Sequence, residues 1–229
     1  MTDYAPNDTA LIVVDAQNGF CPGGNLPVAG GDEILPAVNT LREKFNLVVL
    51  TQDFHPADHS SFASQHPGIA PFTNIDMSYG PQTVWPDHCV RGTKDADFVA
   101  GLNPKPNEYI LQKGTDRNVD SYSAFYENDK ISQPKFADGR TLTQFLQAQG
   151  IKKVVLVGLA FDFCVGFSAL DARKDGFDVT VVEDVTRGIG IPLEGGKTTN
   201  DLMRAQLIEA GVRITTAANL FKTPSLKIG

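Results

Sequence analysis

The sequence is poor in cysteine and histidine, and the shortage of cysteine already excludes one class of protein. Only three cysteines and four histidines occur among the 229 residues. An odd number of cysteines without paired spacing cannot form a disulfide framework, so at least one thiol is expected to be free. Free thiols persist in reducing compartments, which argues against a secreted, disulfide-stabilised protein.

Clusters of positive charge and long apolar runs are missing as well. The formal net charge is -7 and the isoelectric point is near 5.0, and no basic run is available to replace the counterions of a nucleic acid. The N-terminal residues lack the basic segment and the apolar core of a signal peptide, and no stretch has the apolar length of a membrane helix. We therefore expect a cytoplasmic protein that binds neither nucleic acid nor membrane.

The chain does contain six short apolar runs, which lack the alternation of a half-exposed strand and therefore predict strands buried on both faces. Their sequences are TALIVVD, NLVVLTQD, NEYILQK, KKVVLVGLA, FDVTVVED and VRITTA. Segments with helical spacing lie between them: residues 32–45 with an N-cap at Asp32, residues 140–150, residues 164–174, and a last segment that carries Leu202, Met203, Leu207 and Ile208. This alternation predicts an α/β fold, a doubly wound and mostly parallel six-stranded sheet with helices on both faces.

The length of the chain suits one α/β domain over residues 1–229, although one connection breaks the regular alternation. Residues 54–106 carry proline, histidine, glycine and scattered aromatics without a convincing period. This connection is far longer than the usual loop of about 4 to 6 residues. Because long loops in compact domains are usually functional or disordered, and aromatic residues disfavour disorder, we expect a functional loop.

Reactive side chains come at the ends of the predicted strands. The first strand ends at Asp15, the third at Lys113, and the fourth runs through Leu159 towards a helix that begins at Cys164. Open α/β sheets bind ligands beyond the carboxyl ends of their strands. A helix N-terminus and a nearby ammonium would favour the thiolate of a nucleophilic Cys164, with Asp15 moving the proton. The backbone N–H groups of Ala160 and Cys164 are candidates for an oxyanion hole.

Each of these residues also has an ordinary structural explanation. A lone cysteine at a helix start is commonly a small buried hydrophobe, and a strand-end aspartate or lysine is commonly a cap or a surface ion pair. Their joint placement at one sheet edge favours the catalytic interpretation. Cys21, in a loop of glycine and proline, and Cys89, beside His88, are rival nucleophiles, but neither begins a helix.

Two of the four histidines lie in the stretch TQDFHPADHSSF, directly after the second predicted strand. Asp53 and His55 are two apart on extended chain and point to the same side, where a carboxylate and an imidazole can share a divalent ion. His88, at the far end of the long loop, is a candidate third ligand, and His59 is a further ligand or lies behind the ligands. Mixed oxygen and nitrogen donors suit Zn, Fe or Mn, but the Asp-x-His spacing is also common by chance.

The segment GIGIPLEGGKTT, from Gly188, imitates a phosphate-binding loop. A glycine stands where the lysine of that motif should be, and the third glycine of a dinucleotide fingerprint is missing. The segment is therefore predicted to be a plain loop before the last helix.

Six motifs, taken together and in order, resemble the nicotinamidase (pyrazinamidase) branch of the isochorismatase-like hydrolases. The motifs are VVDAQNGF, TQDFHPADHSSF, VWPDHCVRGT, QKG, DSYSAF and GLAFDFCVGFSALDAR. The resemblance implies a catalytic triad and a cis peptide bond before Ala160. It also implies one divalent ion, with Zn expected ahead of Fe or Mn. The triad residues would be Asp15, Lys113 and Cys164, and the ligands Asp53, His55 and His88.

The resemblance also implies a substrate and a pocket. The substrate would be nicotinamide, hydrolysed through a cysteine thioester to nicotinate and ammonia for NAD salvage, with pyrazinamide as a further substrate. The ion would orient the pyridine ring, and the aromatic side chains of Phe20, Trp85 and Tyr122 would clamp it. Leu159, at the end of the fourth strand, is expected to contact the substrate.

Two other functions stay open at this point. One is a related hydrolase acting on a vinyl ether, a ureido compound or another amide, and the other is a noncatalytic α/β binding module with a structural metal. The sequence is compatible with a monomer and with a homo-oligomer.

Overall fold

The computed structural model describes residues 5–222, so the ends of the expected domain at residues 1 and 229 lie outside the described residues. Eight strands occur within that range. They are β1 (Thr9–Val14), β2 (Leu47–Asp53), β3 (Asn74–Met77), β4 (Gly80–Thr83), β5 (Tyr109–Lys113), β6 (Lys153–Leu159), β7 (Asp178–Arg187) and β8 (Arg213–Thr215). The six predicted strands are all present, as β1, β2, β5, β6, β7 and β8.

These six strands form one parallel sheet in the order β5-β2-β1-β6-β7-β8. The chain builds outward from β1 through β2 to β5, and then returns to the other side of β1 with β6. The direction of winding therefore reverses between β1 and β6, and a crevice opens at such a switch point beyond the strand ends. The predicted doubly wound fold is confirmed.

Four helices cover the sheet, and the expected helical segments are all present with shifted ends. They are α1 (Leu35–Arg42), α2 (Leu142–Ala148), α3 (Gly166–Lys174) and α4 (Thr199–Glu209). Thr141 and Thr198 form capping boxes at the starts of α2 and α4, which satisfies N–H groups that have no partner inside the helix. Within residues 5–222, none of the helices combines the length and the apolar character needed to span a membrane.

The expected N-cap at Asp32 is wrong. Asp32 begins a short 3-10 turn, and α1 starts only at Leu35, with Pro36 in its first turn. Pro36 suits that place because a first-turn residue has no intrahelical partner for its missing N–H. The N-cap positions of the 3-10 turn and of α1 are Gly31 and Ile34, and neither makes a side-chain capping hydrogen bond.

The expectation that all six strands are buried on both faces fails at the sheet edges. β1 and β2 are buried throughout, but on β5 the side chains of Tyr109 and Ile110 are 41% and 42% exposed. An edge strand has a neighbour on one side only, so part of its apolar surface stays in contact with solvent. The apolar runs predicted the strands correctly but did not reveal which strands lie at the edges.

Two apolar cores lie on opposite faces of the sheet. One combines residues of α1 with side chains from the long 54–106 connection, including Trp85 and Leu102. The other combines residues of α2, α3 and α4, including Phe145 and Leu207. The long connection thus takes the place of helices over part of one face, and it approaches the switch point from that side.

The 54–106 connection contains a hairpin that the sequence analysis missed. Strands β3 and β4 pair antiparallel, and isolated bridges join Phe62 to Trp85 and His55 to Val90. The backbone N–H of His55 donates to Cys89 O at 3.1 Å, and the N–H of Arg91 donates to His55 O at 2.9 Å. The two ends of the connection therefore run side by side at the carboxyl edge of the sheet.

Candidate active site

Reactive residues from four strand ends meet at the switch point. Asp15 directly follows β1, and Asp53 and Lys113 end β2 and β5 as direct partners in the strand register. β6 ends at Leu159, and a cis peptide bond joins Leu159 to Ala160, as the resemblance implies. Because parallel strands bring their carboxyl ends to one edge, residues far apart in sequence become neighbours here.

Cys164 lies in a π-helical turn, Phe161–Val165, that continues directly into α3. Such turns are rare and often occur at functional sites. The sequence analysis expected the helix to begin at Cys164, but the helical backbone already begins at Phe161. The thiol therefore occupies the first helical turn without being its first residue.

The ammonium of Lys113 joins the predicted triad. Its Nζ lies 3.0 Å from Asp15 Oδ2, 2.8 Å from Asp53 Oδ1 and 3.5 Å from Cys164 Sγ, and it also donates to Ser121 O at 2.8 Å. The Lys113 side chain is fully buried. Burial opposes its charge, but the two carboxylates outweigh burial and hold the pKa of Lys113 well above its usual value.

The Cys164 thiol is not a ready thiolate in this environment. Burial raises its pKa well above the usual value, and the carboxylates of Asp15 and Asp53 act in the same direction. The Lys113 ammonium lowers the pKa, as the sequence analysis expected, but it does not outweigh burial. The resting side chain is consequently a neutral thiol, which needs a neighbouring base before it can attack.

Asp15 is placed to be that base. Polar atoms of Asp15, Asp53 and Cys164 lie within 4.8 Å of one another. The Thr51 hydroxyl donates to Asp15 Oδ1 at 2.5 Å and accepts from the Asp15 backbone N–H at 3.1 Å, which fixes the carboxylate. Burial raises the pKa of Asp15, the nearby Asp53 carboxylate adds to this, and Lys113 opposes it. A carboxylate with a raised pKa is a better proton acceptor than an ordinary one.

Beside the triad, the possible metal-donor atoms of Asp53, His55 and His88 lie close together. Asp53 Oδ2 lies 3.4 Å from His55 Nε2 and 3.7 Å from His88 Nε2. The Nδ1 atoms of the two histidines lie 2.9 Å from Gly114 O and 2.8 Å from Pro86 O. A proton on each Nδ1 leaves both Nε2 atoms as acceptors, the arrangement that metal-binding histidines adopt.

An orphaned atom supports a cation at this point. His55 Nε2 is buried and has no hydrogen-bond partner within the described residues. A Cβ on Gly114 would lie 2.4 Å from His55 Cε1, so only glycine allows this close approach to the imidazole. One carboxylate and two imidazoles fit a divalent ion, and the structure brings together the three residues that the resemblance named as ligands.

His59 lies directly behind this cluster. Its ring centroid is 4.4 Å from that of His55, and His59 Nδ1 is 2.8 Å from Ser61 Oγ. Donor atoms of His55, His59 and Asp120 lie within 4.8 Å of one another. Burial and the neighbouring His55 lower the pKa of His59 to about 4, so this imidazole is neutral at physiological pH. Both roles expected for His59 stay compatible with this position.

A cavity of about 320 Å³, a volume that includes its opening to solvent, connects the thiol with the metal donors. Most of its wall is aromatic or aliphatic. The lining residues are Phe20, Leu26, Asp53, Trp85, His88, Asp120, Tyr122, Ala160, Phe163, Cys164 and Ile189. The rings of Trp85 and Phe163 meet edge to face with their centroids 4.8 Å apart. Such a cavity suits a small flat ring that carries one polar group.

Three candidate residues suggested by the sequence, Leu159, Cys21 and Cys89, lie outside the cavity wall. Leu159 is fully buried in the core and is not among the residues that line the cavity. Cys21 is buried in the same core, and burial together with Asp32 raises the pKa of its thiol to about 11. Cys89 Sγ packs 3.8 Å from Asp95 O. Neither rival cysteine lines the cavity.

Three polar residues at the site were not predicted. Thr51 orients Asp15, and the Gln17 amide holds the Asp53 backbone by donating to its O and accepting from its N–H, both at 2.8 Å. Asp120 lines the cavity. Thr51 stands two residues before Asp53 and so on the same face of β2, which was a usable signal. Gln17 and Asp120 lie in quoted motifs, but nothing in their spacing indicated a role.

Comparisons with known proteins match most of this chain. A family profile described as the isochorismatase domain matches residues 9–192. A curated relative, the nicotinamidase of Acinetobacter baylyi, is 48% identical over 183 residues, which cover 80% of this chain and 83% of that protein.

Two solved structures extend the similarity to three dimensions. A nicotinamidase and pyrazinamidase of Acinetobacter baumanii has a TM-score of 0.85 and 45% identity, and covers 94% of this chain and 99% of its own. A pyrazinamidase of Pyrococcus horikoshii in complex with zinc has a TM-score of 0.70 and 32% identity, and covers 91% of this chain and 99% of its own. Each match covers far more than the catalytic motifs alone.

Proposed function

The chain belongs to the isochorismatase domain family, and from this premise we propose that it is a nicotinamidase, an amidohydrolase that converts nicotinamide and water to nicotinate and ammonia. The reaction serves NAD salvage. The observation that carries the proposal is the contact of Cys164 Sγ with Lys113 Nζ at 3.5 Å, beside Asp15 and in the wall of a small aromatic cavity. Pyrazinamide, which also has a six-membered ring with one carboxamide, is proposed as a second substrate.

The first half of the reaction forms a thioester. Asp15 takes the proton from the Cys164 thiol, and the sulfur attacks the carboxamide carbon. The tetrahedral intermediate carries its negative charge on the former carbonyl oxygen, towards which we place the N–H groups of Ala160 and Cys164. The C–N bond then breaks, and Asp15 returns the proton to the departing ammonia.

The second half regenerates the thiol. A water molecule gives a proton to Asp15 while its oxygen attacks the thioester carbon, and the C–S bond breaks. The proton on Asp15 returns to the sulfur, and nicotinate leaves. Lys113 keeps its charge throughout, because its raised pKa disfavours proton loss, and it stabilises the carboxylate and the transient thiolate.

Asp53, His55 and His88 are proposed to hold the divalent ion, with His59 behind them or as a further ligand. Their oxygen and nitrogen donors suit Zn, Fe or Mn, and the zinc in the Pyrococcus horikoshii pyrazinamidase is the reason to propose Zn first. When bound, the ion supplies a Lewis acid for the ring nitrogen of the substrate.

The aromatic side chains of Phe20, Trp85 and Tyr122 are proposed to hold the pyridine ring. All three line the cavity, and Trp85 and Tyr122 contact each other with their ring centroids 6.0 Å apart. Burial of a flat ring against aromatic faces and edges favours binding without the need for hydrogen bonds. Leu159, which lies behind the cavity wall, would act only through its neighbours.

Cys164→Ala tests the function and the nucleophile together. Without the sulfur no thioester forms, so ammonia release from nicotinamide should fall by at least about a thousandfold. Ammonia is measured from a panel of nicotinamide, pyrazinamide, aliphatic amides and carbamoyl compounds. Cys89→Ala, which removes a buried thiol outside the cavity, is the matched control and should keep its turnover.

Two outcomes would contradict the proposal. Near-normal turnover by Cys164→Ala would exclude the sulfur as nucleophile. Faster ammonia release by the wild-type protein from a carbamoyl or aliphatic substrate than from nicotinamide would assign the chain to another hydrolase of the family.

A further inference from the structure

Gln82, in the hairpin strand β4, has a buried side chain that reaches two polar residues of the cavity wall, Asp120 and Tyr122. It is 1% exposed, whereas its strand neighbour Thr83 is only partly buried. Its amide Nε2 lies 2.7 Å from Asp120 Oδ2 and 2.9 Å from Tyr122 Oη. Gln82 itself is not among the residues that line the cavity.

The orientation of this amide is determined by its neighbours. The carbonyl oxygen of Thr83, also 2.7 Å away, can only accept a hydrogen bond, so the NH₂ end faces it together with Asp120 Oδ2 and Tyr122 Oη, and the two N–H groups are shared among these three oxygens. The oxygen end accepts from Asn128 Nδ2 at 2.8 Å. A buried amide with partners on both ends is a rigid connector, because any rotation would leave polar atoms unpaired.

The network continues into the aromatic wall. Trp85 Nε1 donates to Tyr122 Oη at 3.2 Å, so this hydroxyl joins the Gln82 amide to the indole of Trp85. Asn128 Oδ1 accepts from the Tyr122 backbone N–H at 3.1 Å. Because Asn128 also donates to the Gln82 oxygen, it links Gln82 to Tyr122 a second time. Trp85 and Tyr122 are therefore held at a fixed mutual position by polar contacts that lie outside the cavity.

We infer that Gln82 is a positioning residue: through the Tyr122 hydroxyl and the Asp120 carboxylate it holds the wall against which the substrate ring binds. This inference rests on the proposed function and deepens it. Gln82 acts on ring binding and not on the chemistry at Cys164. The hairpin β3–β4, which the sequence did not predict, thus places the Gln82 amide behind the residues that line the cavity.

Gln82→Leu tests the inference because leucine fills much of the same buried space but has neither hydrogen-bonding end of the amide. We expect the KM for nicotinamide to rise about 3- to 10-fold, the loss of roughly one hydrogen bond, with kcat changed by less than about twofold. Trp85 is the only tryptophan, so its fluorescence emission reports on the wall directly and should change in the ligand-free variant.

A double-mutant cycle with Tyr122→Phe separates positioning from general destabilisation. Phenylalanine keeps the ring and removes the hydroxyl through which Gln82 acts. If the two residues act as one unit, the double variant should have a KM close to that of the more affected single variant, not the product of both changes. Asn74→Ala is the control, because it removes a hairpin bond, Thr83 Oγ1 to Asn74 Oδ1 at 2.7 Å, at an exposed residue that does not line the cavity.

Binding of nicotinate, followed by Trp85 emission, keeps the two proposals distinguishable. Wild-type protein that binds nicotinate but releases no ammonia would contradict the proposed function and leave the role of Gln82 testable by the same titration. Wild-type protein that hydrolyses nicotinamide, together with a Gln82→Leu variant that behaves like Asn74→Ala in KM and emission, would overturn the role of Gln82. Independent, multiplicative effects in the double variant would overturn it as well.

Discussion

Lys113 is a fully buried ammonium that contacts two carboxylates, and these carboxylates have opposite pKa shifts. Burial would raise the pKa of Asp53, but Lys113 and His55 outweigh it and hold that pKa well below its usual value. Burial prevails at Asp15 and raises its pKa. Two carboxylates with opposite shifts can perform different tasks in one site. This separates the proposed proton carrier, Asp15, from the proposed metal ligand, Asp53.

Glu127 is a further buried carboxylate near the site, and the proposed mechanism does not use it. Burial raises its pKa to about 7, against the weaker opposing effects of Ser121 and Lys113. Its Oε2 is buried and has no hydrogen-bond partner within residues 5–222. The side chain is therefore protonated in the folded protein over a pH range in which an ordinary glutamate is ionised.

Glu127 should make the protein less stable as the pH rises from about 4.5 to about 7. In this range the folded state keeps the proton and the unfolded state has released it, so the unfolded state binds fewer protons. The free energy of unfolding then falls by up to about 1.4 kcal/mol per pH unit from this group. Glu127→Gln, which imitates the protonated acid, should remove that contribution in urea unfolding at pH 5 and pH 7.

The matched control is Glu209→Gln, which neutralises an exposed glutamate at the end of α4. It should leave the difference between the two pH values as in the wild type. Equal pH dependence of wild type and Glu127→Gln would show that Glu127 is ionised in the folded protein, contrary to the prediction.

At the scale of elements, hydrogen bonds to the Asp162 carboxylate hold the loop over residues 188–191 in place. Its Oδ1 accepts from the Ile189 N–H at 2.9 Å, its Oδ2 accepts from the Gly190 N–H at 2.8 Å, and the Thr199 hydroxyl also donates to Oδ2. A Cβ on Gly188 would lie 1.8 Å from Asn200 Oδ1. The glycines that imitate a phosphate loop therefore allow close packing, and Ile189 becomes part of the cavity wall.

Asp162→Asn should loosen this loop, because the amide NH₂ would face backbone donors where a carboxylate oxygen now accepts. We expect the free energy of unfolding to fall by about 1–3 kcal/mol, as for a buried donor left unpaired, and the KM for nicotinamide to rise. Urea unfolding and steady-state kinetics measure the two effects.

Asp201→Asn is the control for this prediction. It alters an exposed capping residue at the start of α4 that accepts from the Thr198 N–H at 2.8 Å. It should lower stability less and leave KM unchanged. An unchanged KM in Asp162→Asn would show that the position of Ile189 does not depend on this carboxylate.

At the scale of the whole molecule, the proposed metal ligands join two ends of the 54–106 connection. Asp53 and His55 lie at its start, and His88 lies near its end beside the return of the chain past His55. An ion held by both ends stabilises the folded state, since the unfolded chain does not present the ligands together. The stability of this connection should therefore depend on the ion.

Chelation of the wild-type protein should lower its Tm and increase protease cleavage within residues 54–106. His88→Ala should show both effects without chelator and contain less metal by elemental analysis. His66→Ala is the control, because its ring Nε2 contacts Ser60 O at 2.7 Å, outside the ligand cluster, and it should keep the metal. A Tm that is insensitive to chelation in metal-loaded wild type would contradict this link.

The sequence by itself determined the six strands of the parallel sheet, the helical segments between them and the doubly wound class of the fold. Apolar runs such as the one ending at Asp15 are local signals, because a strand covered on both faces must be apolar at every position. Asp15, Asp53 and Lys113 could be predicted for the same reason, since each one stands at the end of such a run. The motifs added the family, and the comparisons bear it out.

Only the tertiary structure decided which of these residues meet and in what protonation state. Gln82 and Asp120 carry no local signal, because they meet from elements distant along the chain. The neutral thiol of Cys164 and the opposite shifts of Asp15 and Asp53 depend on how deeply each group is buried and on which charges surround it. Burial and Coulomb interaction act through space, so a linear pattern indicates which chemical groups are present but not the environment that sets their reactivity.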